Sequence, residues 1–395
     1  MPSLFNQIIS VVLMGIKGIR ARVWSSVSAY VSVSVVVTVL LVFQALNQGF
    51  QYALTGSGAE DTAIILRKDT SMEMNSALTS ETVKLISLAP GIRKSTSGQP
   101  LVSNELYVVV NAFRKSSQSE VNVPLRGLSS GGEKLRGHFQ LIAGRMYNEG
   151  VNEIIVGQSV QQQVRGLELG NDIELGGVKW KVVGVFADAG GVSESELWSS
   201  SLAIQAHFNR QGVYQIVRAK LVQQNGIDAL VQYFDSDARL NLDVMTEKRY
   251  YAGQASGVST IIKFVGWPLV VMMSLGALAG ALNTMYTSVH QRTREIATLR
   301  AIGFNGSAAF IGTFIEALGL ALAGGVSGAA IAYLFFDGVS ASTMGGGSFS
   351  QVFFNFRMSA DIVKDGLILA LIIGFIGGLF PAWRATRIPV ISAFK

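Results

Sequence analysis

Apolar residues are segregated along this chain rather than spread through it. One run lies at residues 31–43, and a longer series begins at residue 261, where apolar stretches alternate with short polar ones. Residues 261–285 and 308–336 are each long enough to cross the ~30 Å hydrocarbon core as a helix. Reading the whole pattern this way predicts four membrane spans, at residues 23–46, 257–285, 308–336 and 364–383. Residues 47–256, between the first two, read as a soluble domain of ordinary size.

Inside that domain, residues 62–66 and 107–111 are rich in β-branched and apolar side chains and predict strands. Residues 80–88 predict a helix capped at Thr79 or Ser80 and ended by Pro90-Gly91. Residues 153–156 form a short strand. Residues 172–175 and 178–186 alternate around Gly176-Gly177, the pattern of a hairpin whose turn needs positive φ. A strand at 214–222 and a helix at 227–234 follow, and 244–251 leads into the second span. The simplest arrangement is an α/β module from residues 47–115 and 200–256, with a β-rich module, 116–199, inserted in it.

Charge gives the spans a direction. Lys17, Arg20 and Arg22 precede span 1, and Arg292, Arg294 and Arg300 lie between spans 2 and 3. Arg384, Arg387 and Lys395 follow span 4. With four spans all three clusters fall on one side. That places both termini and residues 286–307 in the cytoplasm and the large domain outside. Residues 337–363, with Asp337, Arg357, Asp361 and a Gly345-Gly346-Gly347 tract, become a second outer loop. Leu4, Ile8, Val11, Val12 and Ile16, followed by Lys17 and Arg20, predict that residues 1–22 form an amphipathic helix in the inner interface. No small-x-small cleavage site follows the first apolar run, so it reads as a retained anchor. The net charge is +6, and cationic flanks of this kind point to topology and anionic lipid and not to nucleic acid.

Chemistry-bearing residues are few. The chain has no cysteine and three histidines. His138, His207 and His290 are too dispersed to suggest a metal site. Ser195, between Glu194 and Glu196, has no histidine nearby in sequence and reads as part of a solvated turn. Glu316 is the one carboxylate well inside a span, where it needs a basic or hydroxyl partner. Lys263 snorkels outward. Gly276 and Gly280 form a small-xxx-small pair that admits a close helix neighbour. No charged interior marks an ion path, and four spans without an inverted repeat or a buried ion pair do not make a secondary transporter.

The order of one span, a large outer domain and three further spans resembles the MacB/FtsX-type (type VII) ABC transporter permeases over essentially the whole chain. Arg294-Glu295-Ile296-Ala297-Thr298-Leu299-Arg300-Ala301-Ile302-Gly303 is similar to the family segment R-E-I-(G/A)-x-x-(R/K)-A-(I/L/V)-G. Residues 381–395 resemble the ending P-A-x-R-A-x-R-x-x-P-x-x-A-L-R, one residue short between Arg387 and Pro389 and with Phe394-Lys395 for Leu-Arg. Gly144-Arg145, residues 152–157 and residues 180–186 are similar to the inserted β module of DevC/MacB-like permeases. The resemblance implies an α-helical membrane protein with four transmembrane helices and a MacB-like periplasmic core domain, in which both termini are cytoplasmic and the large domain is periplasmic in a bacterial inner membrane.

It also implies a coupling helix that contacts a cytoplasmic ABC ATPase through Arg292, Arg294, Glu295, Ile296, Thr298, Leu299, Arg300 and Gly303. The apolar side of that helix, with Ile296, Leu299 and Ile302, would face the bilayer. ATP and Mg would belong to the ATPase, because no G-x-x-x-x-G-K-(S/T) occurs here. The chain itself would bind no cofactor or metal and catalyse nothing. A homodimer or paralogue heterodimer would meet near Val35, Gly276 and Gly280. A periplasmic membrane-fusion adaptor and an outer-membrane channel are further implied partners, serving export. The same architecture serves lipoprotein extraction in LolC/LolE and signalling to a cell-wall hydrolase in FtsX, and these are the alternative functions.

Overall fold

The computed structural model describes residues 4–18, 23–70, 72–222, 226–237, 239–344 and 351–388. Arg20, Arg22, the Gly345–Gly347 tract and the ending from Pro389 to Lys395 lie outside the described residues, as do the side chains of Leu4, Ile16 and Lys17. The chain divides into two units. One comprises residues 1–48, 261–339 and 356–395, and the other comprises residues 49–260 and 340–355.

The elements run as follows. Helices α1 (Leu4–Gly18) and α2 (Val23–Thr55) precede β1 (Thr62–Arg67), β2 (Leu78–Thr79) and α3 (Ser80–Ser87). Then come β3 (Val102–Phe113), β4 (Glu120–Leu128), β5 (Gln140–Gly144), β6 (Glu153–Gly157), α4 (Gln158–Gln163), β7 (Asp172–Leu175) and β8 (Val178–Ala187). β9 (Leu197–Ser200), α5 (Ser201–His207), β10 (Val213–Tyr214), β11 (Ile216–Lys220), α6 (Gly226–Ser236) and β12 (Leu242–Thr246) complete the large domain. α7 (Glu247–Gln291), α8 (Thr293–Ala301), α9 (Gly306–Phe336), β13 (Ser340–Met344), β14 (Gln351–Asn355) and α10 (Ala360–Thr386) follow.

In the first unit, α2, α7, α9 and α10 are long and apolar enough to cross a membrane, and no other helix among the described residues is. Their packing is set by small residues. A Cβ at Gly328 of α9 would lie 2.5 Å from the carbonyl oxygen of Ser34 on α2, and one at Gly324 would lie 2.8 Å from that of Tyr30. Gly374 and Gly378 of α10 seat Ala321 and Ala317 of α9 in the same way, and Gly377 seats Ala281 of α7. Close backbone approach replaces the hydrophobic drive that lipid removes. Hydroxyls cross the same seams, with Thr38 Oγ1 donating to the Gly328 carbonyl at 3.1 Å and Thr284 Oγ1 to the Ser25 carbonyl at 3.2 Å. α1 rests on α9, where Val11 fills the gap left by Gly312.

α7 is the exception. Within this chain only 17% of its most apolar window is buried, against 44% for α2 and α10. A Cβ at Gly276 would meet nothing. We therefore expect Gly328→Val to destabilise the detergent-solubilised chain by about 1–3 kcal/mol, and Gly276→Val to leave its melting unchanged. Equal melting of the two variants would contradict this packing.

The second unit is built on one ten-stranded sheet in the order β12-β1-β11-β3-β4-β9-β6-β8-β5, with β7 paired to β8. The β7–β8 hairpin turns through Gly176 and Gly177, at φ +61° and +78°. Thr79 caps α3 by accepting from the Thr82 amide at 3.2 Å. Three apolar clusters are described along the sheet. One joins α3 and α6 to β1, β11 and β12 through Ile65, Ile86, Val217 and Leu230. The second gathers Leu106, Leu125, Ile154, Trp180 and Ile204. The third, on the other face, holds Ile155, Phe186 and Trp198.

The expected boundary between an α/β module and an inserted module at residues 116–199 is not a break in the sheet. β3 pairs with β11 of one part and β4 of the other, so one strand belongs to both. Residues 337–363 are not a plain loop either. They contain the β13–β14 hairpin, whose Phe353 is buried in the second core.

Candidate functional site

α8 carries the motif that the sequence singles out, and its C-terminal end has a local cause. At its C-terminus the Phe304 amide donates to the Leu299 carbonyl at 3.0 Å and the Gly303 amide to the Arg300 carbonyl at 3.1 Å. This double closure requires a left-handed residue, and Gly303 supplies it at φ +98°. Asn305 then caps α9. Gly303 therefore stops the helix.

The faces of α8 have separate tasks. Ile296 and Ala297 are buried with Val289, Ala309, Ala385 and Ile388. Leu299 is half-buried and Ala297 shares the buried face with Ile296, while Ile302 is exposed within this chain. Its place follows from the early stop, since Ile302 is already the cap. Two of the arginines also turn inward. Arg292 is buried, and its Nη1 donates to Glu316 at 3.1 Å while its Nε reaches Glu295 at 3.3 Å. Ser288 Oγ donates to the same Glu316 at 3.4 Å. These are the basic and hydroxyl partners that Glu316 needs, in a buried ion pair whose other member the sequence reading did not name. Arg300 Nη1 donates to the Thr386 carbonyl at 3.0 Å and to that of Ile388, closing the end of α10. Arg292 and Arg300 thus fix α8 to its own unit. Arg294, Glu295 and Thr298 are exposed. Elsewhere in the unit Val35 is exposed, whereas a Cβ at Gly280 would touch Ser32 Oγ at 3.7 Å.

The second unit holds a cluster that sequence reasoning missed. Strand period places Leu106 and Leu125 in the apolar core and turns Glu105 and Arg126 to the opposite face. There Arg126 donates to Glu196 through Nε and Nη2, both at 2.7 Å. Its Nη1 donates to Glu73 at 2.8 Å and to Glu105 at 2.9 Å. Arg136 donates to Glu105 at 3.0 Å, and Arg218 Nε does so at 3.1 Å. Arg218 also pairs with Glu247, the first residue of α7. Tyr250 Oη donates to Glu73 at 3.2 Å. All of these groups are buried.

Burial pushes the Glu105 carboxyl up, but Arg136, Arg218 and Arg126 together hold it well below the usual carboxylate range. Glu196 is likewise lowered against its burial, chiefly by Arg126. Asp188 goes the other way, since burial raises it.

The two lowered groups add stability above the ordinary value of 4.5, and lose it as pH falls from there toward their folded values. Asp188 opposes them as one group against two. The melting temperature of the outer unit is therefore expected to fall as pH drops below 4.5. A melting temperature that rises over the same range would contradict the cluster's role.

Glu194, Ser195 and Glu196 are not a solvated turn but are buried. Glu194 accepts from the amides of Asp188 and Gly190 at 2.7 and 2.8 Å, and from Ser159. Ser195 Oγ accepts from the Phe353 amide at 2.9 Å and donates to its carbonyl at 3.2 Å, tying β14 to the sheet. Among the described residues no group of three His, Asp or Glu converges as metal ligands would.

Comparison with known proteins adds two family matches. Residues 268–390 match the FtsX-like permease C-terminal family, and residues 30–232, just over half of the chain, match the MacB-like periplasmic core domain. The macrolide export ATP-binding/permease protein MacB of Vibrio parahaemolyticus is 22% identical over 335 residues, covering 80% of this chain and 48% of that protein. An uncharacterised ABC transporter permease of Methanocaldococcus jannaschii is 22% identical over 240 residues, 58% of each chain. The pyoverdine export ATP-binding/permease protein PvdT of Pseudomonas entomophila is 24% identical over 277 residues, covering 65% of this chain and 40% of that protein. The chain thus spans about half the length of these relatives. The solved periplasmic region of MacB from Actinobacillus actinomycetemcomitans covers 49% of this chain and 92% of its own, at 14% identity and a TM-score of 0.37.

Proposed function

Because the chain belongs to the MacB/FtsX-type family of ABC transporter permeases, we propose that it converts ATP hydrolysis, supplied outside these 395 residues, into movement of its outer unit. The observation that carries this reading is the division of labour on α8. Arg292, Ile296, Ala297 and Arg300 lock the helix to the membrane unit, while Arg294, Glu295 and Thr298 face outward. A surface that is rigidly backed and polar outside suits a protein socket, which uses a carboxylate as a specific acceptor. A lipid anchor needs only positive charge, whereas Glu295 presents a half-exposed carboxylate beyond its contact with Arg292. ATP and Mg act in the partner ATPase and not in this chain.

Movement reaches the outer unit through α7, whose first residues Glu247 and Tyr250 are tied to the buried charge cluster. The named roles of the MacB and PvdT relatives favour export as the purpose. A membrane-fusion adaptor and an outer-membrane channel belong to that reading. The uncovered face of α7 at Gly276 and the exposed Val35 of α2 favour a two-fold assembly centred on these helices. Cysteines at Val35 or Gly276 are then expected to crosslink between copies more readily than one at Ile372 of α10, and the reverse order would rule that centre out. The membrane is the bacterial inner one, with the termini and α8 cytoplasmic and the large unit periplasmic. A reporter near Arg300 is expected to be active only inside, and one at Ser117 only outside. Capture of the chain from native membranes should bring an ATP-hydrolysing subunit with it, and capture without such a subunit would overturn the function.

A further inference from the structure

A cleft of about 510 Å³ opens in the outer unit where the chain enters β5, between α4 and the turn that follows β8. No member of the buried charge cluster lines it. His138 and Glu194 are its titratable members among the described residues, and Glu194 is committed within the wall. Its carboxylate accepts from the Asp188 and Gly190 amides at 2.7 and 2.8 Å, and from Ser159 Oγ at 2.9 Å. These bonds pin a turn in which Ala189 and Gly190 are both left-handed, at φ +51° and +75°. Such a backbone is uncommon for a residue with a Cβ. Here it sets the two smallest residue types on the wall, which keeps the cleft open.

What the wall offers a ligand is amides and one flat ring. Gln158 and Gln162 are four apart on α4 and share a face, and Gln140 begins β5. None of these three side chains hydrogen-bonds to another described residue, so each keeps donors and an acceptor for a ligand. Beside them Phe139 is half-buried. Its ring stacks on Trp198 at 5.6 Å, and Trp198 stacks on Phe186 at 4.0 Å, so the ring is fixed before any ligand arrives. Most small-molecule sites are lined by apolar side chains with a few polar groups. This wall reverses that proportion, which suits a molecule covered with hydroxyls. No lysine or arginine lines it, so an anion finds no partner of its own. A peptide strand asks for pockets that take its alternate side chains. A single flat ring matches instead the C–H face of a sugar ring.

We infer that this cleft is a binding site for a neutral saccharide. One sugar ring lies on Phe139, and its hydroxyls meet the amides of Gln140, Gln158 and Gln162. The site lies wholly within the outer unit, so it depends neither on the ATPase contact nor on the placement of the helices in a membrane.

The test is calorimetric titration of the full chain in lipid discs with chitotetraose, cellotetraose and maltotetraose, beside empty discs and a capped tetra-alanine peptide. The wild type is expected to give saturable heat with at least one saccharide and none with the peptide. The double variant Gln158→Ala, Gln162→Ala is expected to bind that saccharide about tenfold more weakly, at unchanged melting temperature. Phe139→Ala removes the ring and is expected to abolish binding. Phe139→Tyr keeps a ring and is expected to retain it, which separates a lost site from a lost fold. No saturable heat with any of the saccharides would overturn the site, and so would binding that is unchanged in the glutamine and Phe139→Ala variants. Tetra-alanine binding that the same variants weaken would make it a peptide cleft and would overturn the saccharide.

Discussion

Arg126→Ala is expected to unfold the outer unit far below the wild-type temperature. The substitution takes a cation from three buried carboxylates at once, because Glu73, Glu105 and Glu196 all accept from the Arg126 guanidinium, and Glu105 alone of them keeps two other arginines, Arg136 and Arg218. Breaking a buried pair by removing one partner costs about 3–5 kcal/mol, since an uncompensated charge stays in the low-dielectric interior. In a unit of this size that lowers the melting temperature by roughly 6–20 °C. Lys248→Ala serves as the comparison. Its partner Glu60 is half exposed, and solvent screens the pair, so little change is expected. Thermal melting of the full chain in detergent, followed by proteolysis of the outer unit, reads both. Arg126→Ala melting with the wild type would show that the cluster does not hold the unit together.

The cluster also explains where the sequence was legible and where it was not. The four spans announce themselves through long apolar runs, and the α7–α8–α9 order follows from arginines, a positive-φ glycine and an asparagine cap, all local signals. The hairpin at Gly176-Gly177 and the cap at Thr79 are local in the same sense. The charge cluster is not. Glu105 precedes Leu-Tyr-Val-Val-Val, Arg126 follows Val-Pro-Leu, and Arg218 follows Ile-Val. Each looks like the exposed member of an alternating strand.

Yet both parities of these strands are largely apolar, which is the mark of a strand covered on both faces. A lone charge there must be buried and paired, and that reading was available. The identity of the partners was not, because Glu73, Glu196 and Glu247 come from distant turns and the first turn of α7. The same limit hid the β13–β14 hairpin, whose Phe353 finds its place through Ser195. It also hid the inward turn of Arg292 and Arg300, since spacing on a helix gives faces but does not say which face a neighbour covers.

Glu295→Lys is expected to uncouple the chain from its ATPase while leaving the chain itself intact. Glu295 is half exposed, and among the described residues Arg292 Nε approaches it at 3.3 Å. Arg292 keeps Glu316 when Glu295 is changed, so α8 stays seated. A partner docked on this face loses a carboxylate and meets a cation in its place. An unpaired or like-charged group in such a contact costs about 2–5 kcal/mol, or roughly thirtyfold and upward in affinity. Glu295→Gln keeps an acceptor and is expected to bind far better than the lysine variant. Unchanged melting of Glu295→Lys in detergent separates this from a fold defect.

The most direct measurement is ATP turnover by the partner subunit, reconstituted with wild-type or Glu295→Lys chain in lipid discs. The wild type should stimulate turnover, and the variant should leave the ATPase at its rate without the chain. Equal stimulation by both would mean that α8 only anchors its unit to the membrane and that the ATPase is gripped elsewhere.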